Sequence, residues 1–196
     1  MSVSPDLYLA SRSPRRRELL EQIGLHYQVV LPDVAELPLP EERPSAYVMR
    51  LALEKAQAGW QMVADQASLP VLGADTVVVL DNEILEKPRD QADALRMLER
   101  LSGRTHQVMT GMALVLNEQQ LCRVSISQVT FRTTTVAERE AYWQSGEPVD
   151  KAGGYGIQGL AAAFVEQIEG SYSGIMGLSL YELSEMLAHY QIRILK

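Results

Sequence analysis

A chain of 196 residues, 46% hydrophobic and 22% charged, is long enough to bury a substantial core and has no compositional sign of disorder. Its formal charge of −7 and pI near 5.0 exclude a broad nucleic-acid-binding surface, so a basic cluster here is a local feature of an acidic protein. The single cysteine, Cys122, excludes an internal disulfide framework, no Cys/His spacing suggests zinc, and no apolar run approaches the ~18 residues of a membrane span. With no signal-peptide pattern at its start, the chain is expected in the cytoplasm.

The first element is a short apolar run, LYLA at residues 7–10, suited to a buried strand. SRSPRRRELL follows, with Ser13 as N-cap and Pro14 at the first helical position. Three arginines at a helix start oppose the macrodipole and one another. An anion held against the turn relieves that conflict, with Arg15 and Arg16 as its ligands. The alternative is a solvated basic face partly neutralised by Glu18 and Glu21. A strand at residues 27–31 then enters a proline-punctuated loop containing Asp33 and Glu36. Residues 43–67 read as a long helix, with Ser45 as a cap and Val48, Leu51, Ala52, Lys55 and Gly59 at helical spacing. Lys55 falls on the apolar stripe, where a lysine commonly lays its stem and lets the ammonium reach water.

PVLGADTVVVLDNEILEKP gives two strands around a turn near Asp81 and Asn82. Asp75 interrupts the apolar strand, and a buried carboxylate without a partner is expensive, so it needs a cation or a chemical role. A three-residue loop sets Lys87 on the face of Asp75, whereas a two-residue loop sets them on opposite faces; the pattern leaves both open. A helix is expected over 89–101, strands over 106–116 and 122–135, and a short helix over 136–146. Residues 150–177 are glycine-punctuated with strand-like pieces, and Gly153, Gly154, Gly156 and Gly159 either let backbone approach a ligand or make tight turns. An amphipathic helix closes the chain over 177–190. No repeat or linker divides the chain, so a single domain over 1–196 is expected.

LASRSPRRRELL, Glu36, LALEKA, GADTVV, EKP, LSGRTHQVMTG and KAGGYGIQG occur in the order and spacing of the Maf family of nucleotide pyrophosphatases, which the chain resembles from about Leu7 to its last helix. The form KAGGYGIQG is similar to the branch acting on dTTP and UTP, rather than on 7-methyl-GTP. The resemblance implies a Maf/ITPase-like α/β fold, a long curved mixed β-sheet whose helices form two lobes around a deep cleft. It implies hydrolysis of a nucleoside triphosphate, plain or modified at a pyrimidine base, to the monophosphate and pyrophosphate. Carried over residue by residue, Ser11, Ser13, Arg15 and Arg16 match the phosphate-binding turn. Glu36, Lys55, Asp75 and Lys87 match the charged cleft residues, with Asp75 as proton acceptor. Arg15, Thr76 and Gln158 match positions associated with the choice of base.

A divalent cation, Mg²⁺, Mn²⁺ or Co²⁺, with Glu36 and Asp75 as oxygen ligands, suits this chemistry. Gln158 offers a donor and an acceptor to the O4 and N3–H edge of thymine or uracil, provided the Gly156 and Gly159 backbone or the Thr76 hydroxyl holds it. The expected partner is a nucleoside triphosphate, with no nucleic acid or membrane, and a homodimer is expected from the base rate for soluble enzymes. The other reading is a slow-turnover nucleotide sensor regulating cell division, since the family also has an association with septum inhibition. The intact set of Asp75, Glu36, Lys55 and Lys87 favours the enzyme.

Overall fold

The computed structural model describes residues 4–65 and 68–194. Among them, seven strands form one mixed sheet in the order β2-β1-β3-β5-β6-β7, with β4 paired to β3 off this path. The strands are β1 (Leu7–Ala10), β2 (Tyr27–Val30), β3 (Val71–Leu80), β4 (Glu83–Leu85), β5 (Thr105–Leu116), β6 (Gln119–Phe131) and β7 (Val165–Glu169). The helices are α1 (Pro14–Gln22), α2 (Pro44–Val63), α3 (Gln91–Leu101), α4 (Val136–Gln144), α5 (Tyr172–Met176) and α6 (Leu180–His189). Helical crossovers make β1 parallel to β2 and β3; the remaining pairs are antiparallel, β3–β4 and β5–β6 through direct turns and β3–β5 and β6–β7 through longer connections. No helix among the described residues is long and apolar enough to cross a membrane.

α2 lies directly on one face of the sheet. A Cβ on Gly73 or Gly111 would stand 2.2 Å from the carbonyl oxygen of Ala52 or Val48, respectively, so both positions require glycine. On the opposite face the core divides into two apolar clusters. One gathers Leu9, Leu20, Leu72, Leu114 and Leu187; the other gathers Val78, Leu101, Val108, Phe131 and Phe164. Thr76, Thr110 and Ser125 follow one another in register across β3, β5 and β6 between these clusters. This row of hydroxyls separates the two clusters.

Several local expectations change. α2 is capped at Arg43 with Pro44 in its first turn, so Ser45 lies inside the helix, and residues 66–67 of the expected helix lie outside the described residues. The β3–β4 hairpin has a two-residue turn, with Leu80 opposite Glu83 and both Asp81 (φ 53°) and Asn82 (φ 64°) left-handed, as a primed turn demands. Most of the strand-like pieces within 150–177 form 3₁₀ turns, at Ala152–Gly154 and Leu160–Phe164, or helix α5, and β7 alone is a strand. Tyr142 of α4 and Glu147 of the loop after it accept the N–H groups of Gly156, Leu160 and Ala161, which serve in place of a sheet neighbour there.

Candidate active site

β1 covers β3 only at Val71, Leu72 and Gly73, and β4 covers it only at Val78, Val79 and Leu80. Between these pairings, residues 74–77 have a strand neighbour on the β5 side alone. The opening lies at the carboxyl end of β1, with β2 on one side of that strand and β3 on the other, the kind of place where open α/β sheets receive ligands. Asp75 and Thr76 sit in the opening and, as successive strand residues, face opposite sides of the sheet.

On the Thr76 side, Arg16 is buried at 9% exposure. Its Nε donates to the Gly177 carbonyl at 3.0 Å, Nη1 to Ser11 Oγ at 3.1 Å and Nη2 to Thr76 Oγ1 at 3.2 Å. Thr110 donates to the Gly174 carbonyl at 2.7 Å, so across its 2.9 Å contact with Thr76 it accepts. The chain of donation therefore runs from Arg16 through Thr76 and Thr110 to Gly174. Arg15 is half-buried, and its Nε reaches the Met176 carbonyl at 3.4 Å. Arg15 and Arg16 thus meet carbonyls at the end of α5, which partly explains basic residues at the start of α1. The first turn of α1 contains no acid, and Ser13 makes no side-chain cap; its N–H instead donates to Ser11 Oγ at 3.2 Å. Ser11 Oγ accepts twice, leaving its own proton without an acceptor among the described residues. A guanidinium has five N–H groups and Arg16 commits three, so donors remain at the opening. Burial lowers the pKa of Arg16 and Arg15 lowers it further, against the fields of Asp75 and Glu36.

On the Asp75 side, Lys55 does not carry its ammonium out to water, the alternative its place on the apolar stripe offered. Its Nζ lies 2.7 Å from Asp75 Oδ1 and 2.5 Å from Glu36 Oε1, with the Lys55 and Asp75 side chains each 11% exposed. The mid-strand aspartate has its cation. Burial opposes the charge on Glu36, but the hydrogen bond and charge of Lys55, with Lys87 and Arg16 behind them, prevail and hold its carboxyl below the ordinary range. The Glu36 loop is tied back to α2: Tyr47 OH donates to the Glu36 carbonyl at 3.2 Å, and Arg50 Nη2 to the Leu37 carbonyl at 3.0 Å. Lys87 is exposed beyond the end of β4; the two-residue hairpin takes it off the Asp75 face, and its charge acts on Glu36 instead.

Gln158 stands apart. It is exposed in the turn closed by Gly159 N–H on the Gly156 carbonyl at 3.1 Å, and its side chain has no partner among the described residues. The expectation that the Thr76 hydroxyl holds it is corrected, because that hydroxyl is committed to Arg16 and Thr110. Nor do Gly156 and Gly159 open space for a ligand: a Cβ there would strike Lys151 or Glu147. Sequence reasoning missed Thr110, Tyr47, Arg50 and Glu147. The only early sign of Thr110 was its place in LSGRTHQVMTG, and the others lay in segments read only as helix or loop.

The donor set fits a hard divalent cation. Two carboxylates, Glu36 and Asp75, converge on Lys55 with one oxygen each, and Mg²⁺-type ions take one or two carboxylates together with substrate phosphates. Among the described residues no larger grouping of His, Cys, Asp and Glu is placed to hold a metal.

Together, fold and site define an α/β protein whose split sheet sets two carboxylates on Lys55 on one side of β3 and the bonded guanidinium of Arg16 on the other. The Maf-like protein family model matches residues 6–190. Among curated relatives, the dTTP/UTP pyrophosphatase of Alkalilimnicola ehrlichii is 55% identical, covering 96% of this chain and 94% of its own. That of Saccharophagus degradans is 53% identical over 97% and 91%, and that of Vibrio vulnificus (strain YJ016) 52% over 94% and 98%. The chain belongs to the Maf-like protein family. Among solved structures, the Staphylococcus aureus Ham1 protein aligns with a TM-score of 0.42 at 14% identity over 64% of this chain and 71% of that one, too partial a likeness to build on.

Proposed function

We propose that this protein hydrolyses nucleoside triphosphates, dTTP and UTP ahead of the others, to the monophosphate and pyrophosphate. The observation that carries this reading is the Lys55 ammonium joining Asp75 to Glu36 beside the free donors of Arg16 and Ser11. Its further support is the name shared by curated relatives at 52–55% identity.

A triphosphate repels an incoming oxygen nucleophile, so the site must supply fixed positive charge where negative charge shifts. Arg15, Lys87, the uncommitted N–H groups of Arg16 and the Ser11 hydroxyl bind phosphate oxygens in this reading. Ser13, with its side chain free of any cap, completes the turn. Lys55 holds Asp75 by Oδ1, leaving Oδ2 to orient the attacking water and take its proton. A divalent cation held by Glu36 and Asp75 supplies further charge neutralisation when bound. Gln158, Thr76 and Arg15 bear on the choice of base, with Gln158 as the residue that meets it. A pure sensor has no need of a proton acceptor, so this set does not favour the slow-turnover reading. The acidic charge balance and lone cysteine support a cytoplasmic enzyme acting on free nucleotides, with no nucleic acid or membrane as partner and a homodimer as its expected assembly.

The test is product analysis with Mg²⁺, Mn²⁺ or Co²⁺, and with chelator, across the natural triphosphates. Pyrophosphate and UMP in equal amounts from UTP, with dTTP and UTP ahead of CTP and the purines, is the expected result. Orthophosphate with UDP would overturn the assigned bond cleavage.

A further inference from the structure

Gln158 is exposed, unpartnered and carried by a four-residue turn, yet a side chain selects between bases only if its backbone is held. The turn is held from both sides by one carboxylate. Glu147 follows α4, and its Oε2 accepts the Leu160 N–H at 2.8 Å while Oε1 accepts the Ala161 N–H at 3.4 Å, fixing the downstream shoulder. Oε1 also accepts the Tyr142 hydroxyl at 2.8 Å. That hydroxyl in turn accepts the Gly156 N–H at 3.0 Å, fixing the upstream shoulder. Between them Ile157 is anchored in the core at 4% exposure, so Gln158 is the member of the turn left to solvent.

The glycines match this arrangement. A Cβ on Gly159 would stand 2.3 Å from Glu147 Oε2, and one on Gly156 2.9 Å from Lys151 Cε, so the backbone closes directly onto its anchors. Lys151 donates to the Glu147 carbonyl at 2.5 Å, locking the loop from which the carboxylate projects. Neither Glu147 nor Tyr142 is hydrogen-bonded to Asp75, Glu36, Lys55 or Arg16.

We propose that Glu147, through Tyr142 and the backbone on both sides of Gln158, is a positioning residue for base recognition. This rests on the reading of Gln158 as the residue that meets the base. Loss of the anchor lets the glutamine amide rotate and shift to suit cytosine as readily as uracil, so the effect falls on discrimination more than on the chemical step.

The experiment compares kcat and KM for UTP and CTP in the unmutated protein, Glu147→Ala, Tyr142→Phe, Gln158→Ala and the Glu147→Ala/Gln158→Ala double variant, each checked for folding by circular dichroism. Glu147→Ala is expected to lower the UTP-to-CTP ratio of kcat/KM by about two- to fivefold, mainly by raising KM for UTP. Tyr142→Phe is expected to lower the same ratio by less. In the double variant the ratio should fall no further than with Gln158→Ala, because both act through one amide. If Glu147→Ala does not fold, Tyr142→Phe and Glu147→Gln carry the same comparison. Equal losses on UTP and CTP in the anchor variants, with Gln158→Ala still narrowing the gap, would overturn the proposal and leave the base reading intact. An unchanged ratio in Gln158→Ala would overturn the base reading, and the proposal with it.

Discussion

At Asp75 the side chains hold one another: Lys55 joins it to Glu36, and across the strand Arg16 is bonded to Ser11, Thr76 and a carbonyl of the α5 end. At Gln158 the side chain is free, and only the backbone is held, by Glu147 and Tyr142. The difference follows from what each end handles. Buried charges must be paired, since breaking such a pair commonly costs several kcal/mol, so a charged centre in a sheet opening arranges itself through its own ions. An exposed amide carries no such obligation, and its precision is inherited from the turn beneath it. Damage at the first end should therefore appear in turnover, and damage at the second in selectivity.

The sharpest way to break this contrast is Asp75→Asn, which keeps the shape and removes the charge. Pyrophosphate release should fall by about 10²–10⁴-fold while the thermal melt stays cooperative. Turnover close to normal would remove Asp75 from the centre.

Acid should loosen the core cluster that holds Tyr155 and Ile157, beside the Gln158 turn. His106 is 2% exposed, its Nε2 contacts Tyr155 OH at 2.8 Å, its Nδ1 has no partner, and burial pushes its pKa down to about 4. The unfolded chain binds the proton near pH 6.5 and the folded one only near 4, so stability from this group is complete above pH 6.5 and is lost as pH falls toward 4. Between pH 7 and pH 5 that amounts to about 2 kcal/mol, readable as a shift in denaturation midpoint. A His106→Leu protein should lose this part of the pH dependence; an identical dependence would place its origin elsewhere.

Arg16→Lys tests whether the pinned end needs the guanidinium fork. An ammonium cannot reach Ser11, Thr76 and Gly177 together, so nucleotide affinity should weaken by about tenfold or more, measured by titration with a non-hydrolysable triphosphate. Unchanged affinity would assign Arg16 a purely structural place against α5.

Gln158→Ala should give the smallest effect, narrowing the preference for UTP over CTP by about fivefold. Because the side chain is exposed and unbonded, stability should move by less than about 0.5 kcal/mol. Equal kcat/KM for UTP and CTP in the unmutated protein would remove the base preference altogether.

Local chemistry was legible in the sequence alone. Apolar runs and caps located the opening strand, turn and helix, and Asp75 announced itself as a carboxylate in an apolar strand. The ordered motifs indicated the family over residues now matched from 6 to 190. The resemblance grouped Lys55 with Asp75 and Glu36, but only tertiary structure decided that one ammonium bonds both carboxylates, and that Arg16 spans to Thr76 and Gly177. It also decided that Thr110 relays to Gly174 and that Glu147 anchors the Gln158 turn. Periodicity and capping report on neighbours within a turn or two of chain, whereas Arg16 and Gly177 lie 161 residues apart and Thr110 and Gly174 lie 64 apart. Pairings over such distances exist only once β1, β3 and β5 are in register and the gap between β1 and β4 has formed.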